Sequence, residues 1–255
     1  MAEALWSTGF ALIDDFADRR TCAALVDAVN DYRDHHPLPS VERLTRVRDL
    51  RYEVIDGSRI AAALPTIGGL LAETDRVVAE LCGRLVIRLG GRAGVNVNVI
   101  PSGGSYRWHY DRCPVTAMLY LNGVSGGEIE FYPNSRLPCG PLAGTAAQQW
   151  LDTLSASRCV RTVTRRQLVQ VRPGTGRLLV LRGDRCLHSV REVGDGPDRI
   201  NLVVSYSTAG AERTLPELDS YLYSDAPVTR SDPNYRHSRQ PTAPAKVYRR
   251  RARRA

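Results

Sequence analysis

The sequence predicts a mainly β protein with flanking helices (α+β), a two-sheet jelly roll buttressed by N-terminal helices. Three observations point there. Eight short runs rich in Val, Ile, Leu and Tyr fall between residues 85 and 208, separated by Gly, Pro and Asp turns, as in rolls and sandwiches. Two stretches of helical spacing precede them. The length, 255 residues, suits one all-β core that does not split into domains.

Residues 8–17 alternate apolar and polar side chains as a strand does, and Asp18 stands as N-cap to a helix running to about Arg33. Its apolar face is Cys22, Leu25, Val26 and Val29. Residues 35–51 mix Pro and charge without a period and read as loop. A second helix is predicted over about 64–84, with Leu70, Leu71, Val77, Val78 and Leu81 on one side. The predicted strands are 94–100, 105–110, 115–122, 127–132, 168–172, 177–182, 186–192 and 199–207. Between the fourth and fifth, residues 142–157 are long for a loop and read as a helical insertion with Trp150, Leu151 and Leu154 aligned, placed where it can cover a site. The reading is one domain over 1–208, with its β core at 85–208 and helical buttress at 1–84. Residues 209–235 form a polar, Pro-rich extension with a short helix near 215–223, and 236–255 a disordered basic tail.

The formal net charge of +8 looks like a nucleic-acid signal until it is mapped. Arg236, Arg239, Lys246, Arg249, Arg250, Arg251, Arg253 and Arg254 supply eight cations with no acid among them, leaving 27 basic against 27 acidic residues elsewhere. The fold itself therefore predicts no nucleic-acid partner. Six scattered Cys show no C-x-x-C pair and read as reduced thiols. The acidic N-terminal stretch is no signal peptide and no apolar run reaches a membrane span, so a cytoplasmic chain without membrane contact is expected, monomeric or homodimeric.

The segment WHYDRCP at 108–114 carries the chemistry. His109 and Asp111 stand two apart on a strand, where side chains i and i+2 share a face. An imidazole and a carboxylate so placed need one more His to make two His and one carboxylate on one side of an octahedron, with three positions open. Of the five His, at 35, 36, 109, 188 and 237, only His188 lies late in the strand-rich region.

By itself H-x-D is a weak signal, but its surroundings are specific. The phrases YRWHYDRCP, TAMLYLNGVSGGEIEFYP, GRLLVLRGDRCLHSV and RINLVVSY, running in this order from Tyr106 to Tyr206, resemble the catalytic core of the prolyl 4-hydroxylase-like group of Fe(II)/2-oxoglutarate-dependent dioxygenases. The resemblance implies a double-stranded β-helix, cupin-like, holding iron with His109, Asp111 and His188. It assigns the cosubstrate's far carboxylate to Arg199, eleven positions after the distal His, and to the hydroxyl of Tyr120. A planar guanidinium grips a carboxylate with two parallel bonds, which suits that task. The glycine pair Gly126 and Gly127 resembles the family's turn beside the metal-binding strand.

One departure concerns the pocket. Oxygen-sensing prolyl hydroxylases carry a further inward Tyr before the first His, where this chain has Asn96, Asn98 and Ile100. Asn98 is expected to bind cosubstrate and Asn96 substrate, with amides satisfied by backbone as the equal alternative. Arg182 and Arg185 are candidates for an anionic substrate, against solvated rim charges. Trp108 neighbours His109 and faces away; Tyr106, three positions before it, also faces away unless a bulge intervenes. Asp111 excludes the halogenating relatives, which lack that carboxylate.

The implied activity is hydroxylation of an unactivated C–H bond with Fe(II), 2-oxoglutarate and O2, ascorbate serving as reductant in vitro. A small-molecule or carrier-bound substrate of specialised metabolism is the first expectation. A peptidyl or prolyl-type protein hydroxylase and a non-catalytic ligand-binding β-helix are the rivals.

Overall fold

Local chemistry starts the chain's helices and stops them. The computed structural model describes residues 4–43, 50–137 and 146–208. The predicted extension at 209–235 and basic tail at 236–255 lie outside them. In chain order the elements are α1 (Ala4–Thr8), β1 (Phe10–Ile13), α2 (Arg19–His35), β2 (Ser40–Arg43), β3 (Leu50–Ile55), α3 (Ile60–Ala63), α4 (Gly68–Cys82), β4 (Val86–Arg88), β5 (Val95–Ile100), β6 (Tyr106–His109), β7 (Val115–Tyr120), β8 (Ile129–Tyr132), α5 (Ala146–Ser155), α6 (Arg158–Val163), β9 (Val169–Val171), β10 (Leu178–Leu181), β11 (Leu187–Val190) and β12 (Arg199–Thr208). Asp18 caps α2 by accepting from the Thr21 N–H, as the sequence predicts. Gly83 ends α4 in the left-handed conformation at φ 60°, which a residue without Cβ adopts freely.

All eight predicted core strands are present, and they pair as two antiparallel sheets. The major sheet runs β1-β10-β7-β12-β5-β3-β2, with β4 added to the far end of β12, and the minor sheet runs β6-β11-β8-β9. This is the jelly-roll, double-stranded β-helix arrangement. Residues 35–51, read as loop, are corrected: β2 and the start of β3 lie there and extend the major sheet beyond β5. In β3 the alternating Leu50, Tyr52 and Val54 are buried, which fixes its face despite the charged Arg51 and Glu53 between them.

The outer face of the major sheet is covered by the buttress. Cys22, Leu25 and Val29 of α2 and Leu71, Val78 and Cys82 of α4 pack on Val97, Val99, Ala117, Leu119, Ile200, Leu202 and Val204. Two part-buried polar ties fix the helices. Arg33 bridges Glu53 at 2.7 Å and Asp198 at 3.0 Å, and Tyr206 donates its hydroxyl to Asp75 at 2.9 Å. Helices α5 and α6 confirm helical character in the insertion, but not its aligned apolar face: Trp150 and Leu154 are exposed. The pair lies against the outer side of the minor sheet, where Tyr132 Oη donates to Arg161 O and the Arg161 guanidinium sits over the Trp108 ring. Its described part therefore does not cover the roll's interior. No helix is long and apolar enough to cross a membrane.

Leu202, buried on the central strand β12 beneath both long helices, is the sensitive point of this packing. Leu202→Ala is expected to cost about 2–5 kcal/mol of folding free energy through lost burial and a cavity, measured by urea denaturation.

Candidate metal and cosubstrate site

Strand pairing brings the two distant histidines together. His109 at the end of β6 stands directly opposite His188 on β11, and their ring centroids are 4.1 Å apart. Asp111 follows in the turn after β6, its N–H held by Gly183 O at 2.9 Å. Its Oδ1 lies 3.4 Å from His109 Nε2 and 3.4 Å from His188 Nε2. Donors about 2.1 Å from one ion at right angles to each other sit about 3 Å apart, close to the 3.4 Å of the two Asp–His pairs. Among the described residues this is the one such group of His, Cys, Asp and Glu, with its donor atoms all within 4.8 Å.

The ring orientations are set from behind. His109 Nδ1 lies 2.9 Å from Arg107 O, and His188 Nδ1 lies 2.8 Å from Cys186 O. A carbonyl can only accept, so each Nδ1 carries the hydrogen and each Nε2 turns its lone pair toward Asp111. Burial opposes the Asp111 charge, yet the two imidazoles hold its carboxyl well below the ordinary range. Burial and the neighbouring His188 lower the pKa of His109. In His188 burial works the same way but is outweighed by the Asp111 carboxylate, and the pKa rises. Protonation at this site therefore favours His188 over both His109 and Asp111.

The second feature lies deeper in the roll. Arg199, at the start of β12, is 1% exposed. Its Nη2 lies 3.5 Å from Met118 Sδ, its guanidinium carbon is 5.0 Å from the Tyr120 ring centroid, and its Nε has no hydrogen-bond partner of good geometry; burial lowers its pKa while the neighbouring Tyr120 works the other way. No carboxylate among the described residues pairs with it. The buried Tyr120 hydroxyl and Asn201 Oδ1 are likewise without partners. Asn201 stands directly opposite Tyr120 on β7 and Asn98 on β5, so the three share the inward face. An unpaired buried charge costs several kcal/mol. The guanidinium and the phenol are donors that fit the carboxylate of a small anion, whereas Asn201 Oδ1 accepts and calls for a donor.

Gly127 makes room for this arginine. At φ 64° its missing Cβ would lie 2.9 Å from Arg199 Cδ and 3.1 Å from Val193 Cγ2. Gly127 therefore shapes the Arg199 pocket, while Gly126 packs against the backbone of Glu192 and Gly194.

The sequence reading of the remaining residues meets mixed outcomes. Asn98 faces the cavity and is partly exposed there, while Asn96 is buried. Trp108 points outward into a cluster with Tyr110, Tyr132 and Leu187. Tyr106 is a correction. Four residues of β6 (106–109) lie against three of β11 (188–190), since His109 faces His188 and Tyr106 faces Val190. This bulge turns the Tyr106 ring inward, 4.8 Å from that of His109 and 5.1 Å from that of Tyr52. Arg182 donates to Trp6 O and Asn134 Oδ1, and Arg185 reaches Arg136 O. Both guanidiniums tie outer loops together, which lends no support to substrate binding. Asn201, Thr116, Gly183, Tyr52 and Tyr106 are the site residues that sequence reasoning missed or set aside. The regular apolar-polar alternation of RINLVVSY offered a signal for Asn201, two positions after Arg199 and on its face.

Residues 95–206 match the family model of the 2OG-Fe(II) oxygenase superfamily. This domain belongs to that superfamily. The match runs from β5 to β12 and includes His109, Asp111, His188, Tyr120 and Arg199. No curated protein sequence matches the chain. Solved structures share the fold. A prolyl hydroxylase from Trichoplax adhaerens in complex with a hypoxia-inducible factor peptide is 19% identical with a TM-score of 0.57, covering 81% of this chain and 87% of the other. SnoK, a non-haem α-ketoglutarate-dependent carbocyclase from nogalamycin biosynthesis, is 15% identical with a TM-score of 0.61, covering 80% and 82%. HygX from Streptomyces hygroscopicus, with nickel, 2-oxoglutarate and hygromycin B bound, is 15% identical with a TM-score of 0.52, covering 81% and 85%. The donor set found here, two imidazoles and one carboxylate, and the anion-deficient Arg199 fit the superfamily's Fe(II) and 2-oxoglutarate.

Because a metal ligand must be a neutral imidazole, a divalent ion binding this trio competes with protonation of His188, which the Asp111 carboxylate favours. Affinity is therefore expected to fall as pH drops through the raised pKa of His188, with His109 contributing less. Calorimetric titration with Mn(II) in buffers of different ionisation enthalpy should register proton release.

Proposed function

We propose that this oxygenase hydroxylates an unactivated C–H bond of a small molecule or carrier-bound intermediate, the kind of substrate met in specialised metabolism. The observation that carries the reading is the buried Arg199 without an anion, in the same roll as three metal-donor atoms. Bound Fe(II), 2-oxoglutarate and O2 would together supply the oxidation, 2-oxoglutarate leaving as succinate and carbon dioxide.

The chain's own residues have separable roles. His109, Asp111 and His188 are the proposed metal ligands and leave one side of the ion free. Arg199 and Tyr120 would hold the far carboxylate, with the guanidinium fixing its direction. Asn201 and Asn98 add amides to the same inward row and can meet cosubstrate or substrate polar atoms. Met118, Ile129, Phe131, Leu179, Leu181 and Val203 fill the space between the sheets on the β7 and β10 side. Water is thereby kept from one wall of the site. Tyr106 and Tyr52 form an aromatic wall leading to His109, suited to packing an apolar part of a substrate.

HygX, with hygromycin B bound, supports the small-molecule preference by analogy of fold. The Trichoplax adhaerens enzyme with its peptide supports the peptidyl alternative. SnoK, a carbocyclase, is a reason to analyse products as well as succinate.

Succinate release with Fe(II), ascorbate and 2-oxoglutarate, with and without small-molecule and peptide panels, tests the reading. The parent is expected to turn over, and Asp111→Ala to be inactive with weakened metal binding. Arg199→Ala is expected to raise the 2-oxoglutarate requirement at least about tenfold, the scale of a lost charged hydrogen bond. Binding of 2-oxobutanoate, which lacks the far carboxylate, should not change. Equal losses for both oxo acids would remove Arg199 from the proposed role, and no metal uptake or turnover by the parent would favour a binding module.

A further inference from the structure

The two oxygens of Asp111 have different surroundings. Oδ1 faces the two imidazole Nε2 atoms. Oδ2 accepts a hydrogen bond from Thr116 Oγ1 at 2.6 Å. Thr116 is 5% exposed and stands opposite Leu181 of β10 and Ser205 of β12, so its backbone is held on both sides. Cys113 Sγ lies 3.1 Å from the same hydroxyl. With the threonine proton given to the carboxylate, the thiol is left to donate to Oγ1.

On the other side of the carboxylate is Gly183. A Cβ there would fall 2.4 Å from Asp111 Oδ2, 2.7 Å from Asp111 Cβ and 2.7 Å from Thr116 Oγ1. The carboxylate is therefore clamped between a hydroxyl and a bare backbone. Rotation that carried Oδ2 toward the imidazoles would break the short hydrogen bond.

We infer that Thr116 is a positioning residue that restricts Asp111 to coordination through Oδ1 alone. This rests on the oxygenase reading above. The consequence is a count of positions: a metal held by two imidazoles and one carboxylate oxygen keeps three octahedral positions, whereas a chelating carboxylate removes one. A bidentate cosubstrate and dioxygen need all three. Outer groups that orient a metal ligand commonly change affinity or activity 10–100-fold when removed, about the size of effect sought here.

Thr116→Val keeps the branched shape and removes the hydroxyl; Thr116→Ser keeps the hydroxyl and serves as the rescue. Both are made in the full chain and handled without oxygen. Three quantities are measured: Mn(II) affinity by calorimetry, 2-oxoglutarate affinity of the Mn(II)-loaded protein, and the visible charge-transfer absorption of the Fe(II) protein with 2-oxoglutarate. Thr116→Val is expected to bind Mn(II) within about threefold of the parent but 2-oxoglutarate about tenfold more weakly, with a diminished and shifted absorption band. Thr116→Ser should restore both. Parent-like 2-oxoglutarate affinity and spectrum in Thr116→Val would overturn the inference. So would loss of Mn(II) affinity with unchanged 2-oxoglutarate binding, or equal damage from Val and Ser. A parent that takes up neither Mn(II) nor 2-oxoglutarate overturns the oxygenase reading itself, and the inference falls with it.

Discussion

The antiparallel pairing of β6 with β11 is the constraint on which the site depends. It sets His109 directly against His188, although 78 positions separate them in the chain, and the turn after β6 then delivers Asp111 to the same point. β6 is the edge strand of the minor sheet, while β11 pairs on its other side with β8. The bulge in β6 is therefore tolerated, and the same irregularity turns Tyr106 inward beside the histidine. Backbone carbonyls of Arg107 and Cys186 complete the arrangement by fixing which imidazole nitrogen looks inward.

The major sheet supplies a different service. Its outer face is pinned to α2 and α4 by a continuous apolar layer, which leaves only the inner face available for polar groups. Arg199, Asn201, Asn98 and Tyr120 sit on that face in adjacent rows. Burying Arg199 Nε and the Tyr120 hydroxyl carries a desolvation cost. In the proposed role, the far carboxylate of a bound oxo acid would offset that cost. The fold thus stores binding energy at one end of the cavity and coordination chemistry at the other.

Much of this was legible in the chain. The eight core strands, the Asp18 cap and the metal trio followed from periodicity, turn residues and the order of the motifs around His109, Asp111 and His188. What escaped had physical causes. The β2-β3 hairpin was hidden because Pro37, Pro39 and a run of charges obscure the alternation of Leu50, Tyr52 and Val54. The β6 bulge carries no residue signature, as Arg107 and Trp108 suit a regular strand equally well, so the face of Tyr106 depended on a bulge that sequence alone did not show. Thr116 and Gly183 act through contacts made only after β7 and the turn following β10 meet. Arg182, by contrast, looked like a substrate residue from its nearness to His188 in sequence, yet its guanidinium is spent on Trp6 and Asn134.

The most direct measurement is a crystal structure of the full chain grown without oxygen in the presence of Mn(II) and 2-oxoglutarate. One ion bound by His109 Nε2, His188 Nε2 and Asp111 Oδ1 is expected, chelated by the oxo acid whose far carboxylate meets Arg199 and Tyr120. An ion bound elsewhere, or an oxo acid seated away from Arg199 while the three side chains stay apart, would contradict the account.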